Sequence, residues 1–87
     1  MTLTAFRPDH AVRLHVTVPG LPDAQRVLTV LTGRAYPVTR FEAEEFAAGC
    51  WRLTIDLFLD ADGVDLARAR LERMPCVLGV EVLRAVG

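Results

Sequence analysis

The sequence lacks several features that common classes of protein require. Its two cysteines, Cys50 and Cys76, are too few and too far apart for a disulfide framework or a cysteine-based metal site. Ten arginines, no lysine and eleven acidic residues leave a formal net charge of -1, which provides no basic surface for a phosphate backbone or an anionic membrane. No uncharged run approaches the roughly 18 residues that span a bilayer. We therefore expect no metal, no nucleic acid and no membrane among the binding partners.

The chain of 87 residues is long enough for one small domain and no more. We predict a single domain over 1–87, with 1–10 as a loosely ordered N-terminal segment. A domain of this size buries only about 60% of its unfolded surface, whereas 52% of the residues are hydrophobic. A core of this size cannot bury all of these hydrophobic residues, which predicts an apolar surface that a partner covers. Arg7 and Asp9 interrupt the N-terminal segment too early for a secretion signal, so we expect a cytoplasmic protein with both cysteines reduced and buried as small apolar groups.

Hydrophobic periodicity divides the chain into a twice-repeated pattern of strand, helix and strand. Apolar and polar residues alternate over Val12–Val18, which predicts a first strand with one buried face. A helix follows Pro22, because apolar residues recur at helical spacing from Ala24 to Leu31. Gly33 is expected to end this helix.

The remaining segments complete the pattern. Tyr36–Glu45 begins like a strand and becomes strongly charged, which suits an exposed edge strand. Trp51–Leu59 alternates most regularly and predicts the third strand. The turn residues Asp60–Gly63 are expected to break it before a helix over Val64–Met74, and Cys76–Arg84 predicts the last strand.

This order of elements predicts an α+β ferredoxin-like sandwich, in which one four-stranded antiparallel sheet carries two helices on one face. The expected strand order is four, one, three, two, and the opposite face of the sheet is open. The same order separates Cys50 from Cys76 by one strand, a distance of about 10 Å that no disulfide spans. We therefore predict two free thiols.

The polar positions of the first and third strands are the places where catalytic groups could lie. They are His15, Asp56, Arg13 and Arg52. All four alternate with the apolar residues of their strands and are therefore expected on the open face. Charged pairs across strands are common there, so we expect a protein that is not an enzyme. An RNA-binding sheet of this kind stacks bases on aromatic side chains. Trp51 has the apolar parity and Phe58 alone is expected to reach the open face, which argues against that class.

A resemblance to a known family lies in residues 16–41, VTVPGLPDAQRVLTVLTGRAYPVTRF, which resemble the opening of an ACT domain. Arg26-Val27 and Arg34-Ala35-Tyr36 stand where the family has Arg-Val and Arg-Gly-Tyr. With almost nothing beyond one such unit, the chain is most similar to the short small subunit of acetolactate synthase. The resemblance implies a regulatory subunit without a cofactor of its own, which activates a large thiamine-diphosphate acetolactate synthase of branched-chain amino acid biosynthesis. A stand-alone ACT-like module that binds an amino acid as a homodimer is the alternative.

In this family the loop before the first helix holds the carboxylate of an amino acid effector through backbone N–H groups. The corresponding residues here are Gly20, Leu21, Pro22, Asp23, Ala24, Pro37 and Val38. Pro22 stands where the family prefers Gly, Pro37 stands for an Asn that holds the effector, and each proline removes a donor. The remaining donors are the N–H groups of Gly20, Leu21, Asp23 and Ala24. Asp23 is expected to cap the helix and to repel an incoming carboxylate, which implies an effector-insensitive subunit.

ACT domains commonly pair their second strand with its copy across a twofold axis. The edge residues here would be Val38, Arg40, Phe41 and Glu42. A register centred on Phe41 sets Arg40 of each copy opposite Glu42 of the other, whereas a register centred on Glu42 opposes like charges. We therefore predict a homodimer through this edge. An edge whose charges only prevent aggregation is the other interpretation.

Overall fold

Six elements follow one another in the predicted order. In a computed structural model, which describes residues 10–83, they are β1 (His10–Val18), α1 (Leu21–Gly33), β2 (Val38–Ala47), β3 (Cys50–Leu59), α2 (Ala61–Glu72) and β4 (Gly79–Leu83). Of the segment 1–10, which is predicted to be loosely ordered, only His10 is described, and it begins β1. Within the described range no helix is long and apolar enough to cross a bilayer.

The strands form one antiparallel sheet in the order β2-β3-β1-β4, which is the predicted order. β1 pairs with β3 along its whole length, from His10 opposite Leu59 to Val18 opposite Trp51. The shorter β4 pairs with the other side of β1, and β2 lies beyond β3 as the predicted edge strand. The architecture is therefore the ferredoxin-like α+β fold.

A single hydrophobic core fills the space between the sheet and the helices. On β1 and β3 the alternation turns every second residue inward. The buried residues are Val12, Leu14, Val16 and Val18 of β1, Leu53, Ile55, Leu57 and Leu59 of β3, and Ala24, Val27, Leu31, Ala67 and Leu71 of the helices. The polar residues between them face the other way. Both helices therefore cover one face of the sheet, as predicted, and leave the second face open.

The residue that reverses the chain after α1 is Ala35, not the predicted Gly33. Ala35 has a left-handed backbone with φ 59°, and its N–H donates to Thr32 O at 3.0 Å. Tyr36 N–H donates to Leu31 O, also at 3.0 Å. These two bonds form a Schellman motif, which usually has glycine at the left-handed position. Gly33 is simply the last helical residue.

α2 begins and ends earlier than predicted. Asp60 is its N-cap, and the Asp60 Oδ1 accepts a hydrogen bond from Gly63 N–H at 2.6 Å. The residues predicted to form a break therefore form the first turn of the helix, because a capping aspartate satisfies one of its free N–H groups. The helix ends at Glu72 rather than Met74, since the residue before a proline disfavours helical backbone.

β4 is shorter than predicted. Val77 N–H donates to Met74 O at 3.0 Å, so the residues that follow Pro75 form a turn, and strand pairing begins only at Gly79. Arg84, predicted as the end of this strand, lies outside the described residues.

Both cysteines are free, as predicted. They are partly exposed, however, and neither belongs to the core. Cys50 is the first residue of β3, beside the hairpin turn, and Cys76 lies in the turn before β4. Their predicted burial is wrong because both positions lie at the ends of elements, where packing is incomplete.

Candidate functional site

The loop between β1 and α1 is the first candidate site. Gly20 is the N-cap of α1, with extended backbone at φ -158° and ψ 166°. Asp23 N–H and Ala24 N–H both donate to Gly20 O, at 3.1 and 3.3 Å, so two of the four expected donors are occupied. In the part of the chain that the structure describes, the N–H groups of Gly20 and Leu21 have no backbone acceptor. These two remain available to an anion.

Asp23 does not cap α1, contrary to prediction. Asp23 lies in the first turn of the helix, and no side chain accepts a capping hydrogen bond. Its Oδ1 lies 3.9 Å from Arg26 Nη1, and its Oδ2 lies 3.6 Å from the place that a Cβ on Gly20 would occupy. The carboxylate therefore lies beside the donors of the loop. Repulsion of a second carboxylate by this charge stays a prediction.

Pro37 and Val38 lie at the other end of the sheet. Val38 is opposite Leu57 in β3, whereas the loop before α1 follows Val18, which is opposite Trp51. Trp51 and Leu57 are separated along β3 by about 20 Å of extended chain. The structure therefore does not bring the two halves of the predicted ligand set together within one chain.

β2 is a ten-residue edge strand. Its register shifts near both ends, and beside the first shift Thr39 Oγ1 donates to Asp56 O at 3.2 Å. Phe41 is half-buried against the core, while Arg40 and Glu42 are exposed on the open face. Arg40 Nε donates to Glu42 Oε2 at 2.9 Å within the strand. The charge pair that the predicted dimer joins between copies is thus already formed within one chain.

The candidate catalytic residues lie on the open face, as predicted. Arg13 is opposite Asp56, and its Nε and Nη2 donate to the two carboxylate oxygens at 2.7 and 3.0 Å. The hydrogen bond from Arg13 lowers the pKa of the Asp56 carboxyl, and the same bond raises the pKa of Arg13. A carboxylate held ionised on both oxygens is poorly suited to proton transfer. His15 lies between Thr54 and Glu81 of the neighbouring strands.

Two phenylalanines are exposed on the open face, where only Phe58 is predicted. Phe58 is 47% exposed and Phe46 is 48% exposed. The guanidinium of Arg52, the fourth candidate catalytic residue, lies 4.9 Å from the centre of the Phe46 ring, within reach of a cation–π contact. Phe46 escapes prediction because the predicted strand stops one residue short, at Glu45. The two rings lie at opposite ends of β3, so they form no continuous platform for stacked bases.

Trp51 packs against the core, as its parity predicts. Within residues 10–83, no three side chains of His, Cys, Asp or Glu lie close enough together to hold a metal ion. The predicted functional residues therefore occupy three surfaces: the loop before α1, the outer edge of β2 and the open face. A scan against protein-family models and a search of curated proteins find no match to this chain.

Proposed function

We propose that this chain is a non-catalytic regulatory subunit of ACT type. It pairs with a second copy through β2, and it binds and activates a large catalytic subunit. By the resemblance of residues 16–41, that partner is a cytoplasmic thiamine-diphosphate acetolactate synthase of branched-chain amino acid biosynthesis. The observation that carries the proposal is the outer edge of β2, at the border of a βαββαβ sheet.

The outer edge of β2 presents a row of backbone N–H and C=O groups over ten residues, about 33 Å of strand. A register centred on Phe41 sets Arg40 of one copy opposite Glu42 of the other. Because Arg40 already contacts Glu42 of its own strand, each guanidinium then lies between two carboxylates. Pairing through this edge satisfies the backbone groups and adds contacts between opposite charges.

The same register would bring the two halves of the effector site to one end of the sheet. It sets Pro37 of one copy opposite Glu45 of the other. Glu45 is opposite Trp51, and Trp51 is opposite Val18, the last strand residue before the loop. Residues that lie at opposite ends of one chain therefore lie at the same end of the dimer.

Effector insensitivity follows from the contents of the loop. Pro22 and Pro37 carry no N–H, and Gly20 O already accepts from two of the remaining donors. The carboxylate of Asp23 lies beside those that are left. An amino acid carboxylate would meet few donors and a like charge, so we expect the subunit to act through protein contacts rather than through an effector.

The backbone at Ala35 supports the resemblance. Ala35 stands where the ACT pattern has glycine, and it is the one non-glycine residue with positive φ among the described residues. Glycine is favoured at a left-handed position that closes a helix. The sequence preference of the family and the backbone of this chain thus agree at this position.

Charge reversal on β2 tests the dimer, with the mass in solution measured by light scattering after size exclusion. Arg40→Glu and Glu42→Arg each oppose like charges, both within the strand and across the axis, so each is expected to convert dimer to monomer. The double variant R40E/E42R restores every opposite-charge contact and is expected to restore the dimer. Arg68→Glu, a matched reversal on α2, leaves the dimer intact. A monomeric wild type, or a dimer unchanged by Arg40→Glu, contradicts pairing through this edge.

Purification from the source organism tests the partner. A tagged chain is expected to recover a large thiamine-diphosphate enzyme, identified by mass spectrometry, in a complex whose native mass shows both subunits. Added back to the separated large subunit, the chain is expected to raise acetolactate formation, and valine is expected to leave that activity unchanged. Recovery of the dimer alone, together with no activation on mixing, overturns the regulatory proposal.

The N–H groups of Gly20 and Leu21 favour a second function, a stand-alone ACT-like module that binds an amino acid as a homodimer. The two functions differ in what stabilises the purified chain. A binding module predicts that one amino acid raises the melting temperature with concentration, by mass action. The regulatory subunit predicts no such shift for any of the twenty amino acids at concentrations that saturate typical ACT sites.

A further inference from the structure

A groove between α1 and α2 carries three arginines. Arg34 enters it from the C-terminal end of α1, Arg70 enters it from α2, and Arg73 enters it from the position that follows α2. The cavity has a volume of about 520 Å³, which falls within the range of small-molecule sites. Among the described residues that line it, none is acidic. The cavity therefore carries three positive charges without a compensating side chain.

These three arginines differ from the others that the structure describes. Arg13, Arg26, Arg40 and Arg68 contact Asp56, Asp23, Glu42 and Glu72, and Arg52 lies over Phe46. Within residues 10–83, the groove arginines have no carboxylate at ion-pair distance. The Nε–H of Arg70 is in addition buried, with no hydrogen-bond partner in that range. A buried charged donor without an acceptor is unfavourable, and an anion bound in the groove would reduce this cost by compensating the charge of the guanidinium.

The groove also has an apolar part. Leu66 and Arg70, four residues apart on α2, and Met74, in the turn that follows the helix, form one stripe. Val30 of α1 faces this stripe across the groove, and Leu66 is 49% exposed. The site thus offers an apolar wall beside a cluster of charged donors, which is the combination that recognises a charged group attached to an apolar body.

We propose that this groove binds an organic phosphate monoester, with its phosphate held by Arg34, Arg70 and Arg73 and its apolar body against Val30, Leu66 and Met74. Guanidinium groups match phosphate oxygens with paired hydrogen bonds. A phosphate monoester carries close to two negative charges at neutral pH, which suits three arginines better than the single charge of a carboxylate. The site lies on the helix layer, at the opposite end of α1 from the loop that precedes this helix, and it does not depend on the regulatory function.

The helix dipole alone does not account for this arrangement. Arg70 and Arg73 lie near the C-terminal end of α2, where positive charge is favourable. That effect explains neither the third arginine, which comes from α1, nor a buried Nε–H without an acceptor. A purely structural role for Arg70 would change the melting temperature when the residue is substituted and would leave anion affinity unchanged.

Titration of the full chain with phenyl phosphate tests the proposal, using ¹H–¹⁵N correlation spectra at constant ionic strength in a phosphate-free buffer. We expect saturable shifts at the amides of Leu66, Arg70 and Met74. Inorganic phosphate tests the apolar wall and is expected to bind more weakly. Benzoate, which has the same ring and one negative charge, tests the preference for phosphate and is also expected to bind more weakly.

Arginine variants locate the site. Arg70→Gln and Arg34→Gln, on different helices, are each expected to weaken phenyl phosphate binding by about tenfold or more. Arg26→Gln removes the same charge outside the groove and is expected to change the affinity by less than about twofold. The spectrum of each free variant establishes that it is folded, and Arg34→Gln keeps the test open if Arg70→Gln does not fold.

Three outcomes would overturn the proposal. The first is the absence of saturable shifts in the wild type up to about 10 mM phenyl phosphate. The second is benzoate binding as tight as that of phenyl phosphate, which would make the site a carboxylate site. The third is equal weakening by Arg26→Gln and Arg70→Gln, which would reduce the binding to general charge attraction.

Discussion

The open face of the sheet and the groove between the helices use arginine in opposite ways. On the open face Arg13 donates two hydrogen bonds to Asp56, and Arg40 binds Glu42. In the groove the Nε–H of Arg70 is buried without an acceptor in the described chain. A paired charge stabilises the surface on which it lies, whereas an unpaired charge is free to recognise a ligand. Unsatisfied groups, rather than the density of charge, therefore indicate where this small domain can bind.

The largest expected effect on stability separates the buried face of the sheet from the open face. Ile55→Ala is expected to lower the free energy of unfolding by about 2–4 kcal/mol, because it opens a cavity in the core. Thr54→Ala, the neighbour on the open face, is expected to cost less than about 1 kcal/mol. Urea denaturation of both variants measures the difference. Equal losses would mean that the open face is covered in solution.

The next effect concerns the groove. Arg70→Met keeps the aliphatic stem and removes the buried donor, so it is expected to raise the free energy of unfolding by about 1 kcal/mol. The matched change on the open face, Arg13→Met, leaves Asp56 without its partner and is expected to lower the melting temperature instead. Thermal unfolding of the two variants compares them. Destabilisation by both would show that the chain or its water already satisfies Arg70.

A smaller increase in the free energy of unfolding is expected at the C-terminal end of α1, beside Arg34. Ala35→Gly relieves the left-handed backbone of the Schellman motif and is expected to raise the free energy of unfolding by about 0.5–1 kcal/mol. Gly33→Ala serves as the control, since Gly33 is helical and a Cβ there meets nothing within 4 Å. Differential scanning calorimetry measures both changes. A loss of stability for Ala35→Gly contradicts the assigned backbone.

The smallest effect depends on pH and belongs to the open face. Because Arg13 lowers the pKa of Asp56 in the folded state, the pair stabilises the fold above the ordinary carboxyl pKa of 3.8 that Asp56 has when unfolded. That stabilisation is lost as the pH falls through the lowered pKa. Arg13 is 45% exposed, so water screens the pair and Asp56→Asn is expected to cost about 0.5 kcal/mol at pH 7.

Melting curves of the wild type and Asp56→Asn between pH 2 and pH 7 check this prediction. The difference in melting temperature between the two proteins is expected to be largest at neutral pH and to vanish once the carboxyl is protonated in both the folded and the unfolded protein. Thr54→Ala, which removes no charge from the same face, is the control and is expected to show no such trend. A difference that persists at pH 2 would assign the effect to packing of Asp56 rather than to its charge.

The sequence predicts the fold well because the sheet has two chemically distinct faces. The alternation over Val12–Val18 and Trp51–Leu59 determines which residues are buried, and the charged residues of β2 identify the edge. Predictions at element ends are less accurate. Asp60 caps the helix that it was expected to precede, and a left-handed alanine replaces the glycine expected to close α1. Local hydrogen bonds decide these positions, and periodicity does not report them.

The candidate site is predictable only in part. The positions of Arg13 and Asp56 on one face follow from strand parity, and their pairing follows from the strand order. The groove does not follow from either. Arg34 and Arg73 are far apart in the sequence, and each has the ordinary appearance of a surface residue on an amphipathic helix. Their common cavity depends on the spacing between two helices, which no pattern within a single element contains.

The pairing of β1 with β3 has a consequence for how the chain folds. β2 and β3 form a local hairpin, whereas Arg13 and Asp56 meet across 43 residues of chain. Closing so long a loop is entropically costly, so we expect the hairpin to form first and β1 to join it late. Until β1 arrives, β3 is itself an uncovered edge with Leu53, Ile55 and Leu57 in reach of other chains. This chain is therefore most prone to aggregation before β1 pairs with β3, and not in its native state.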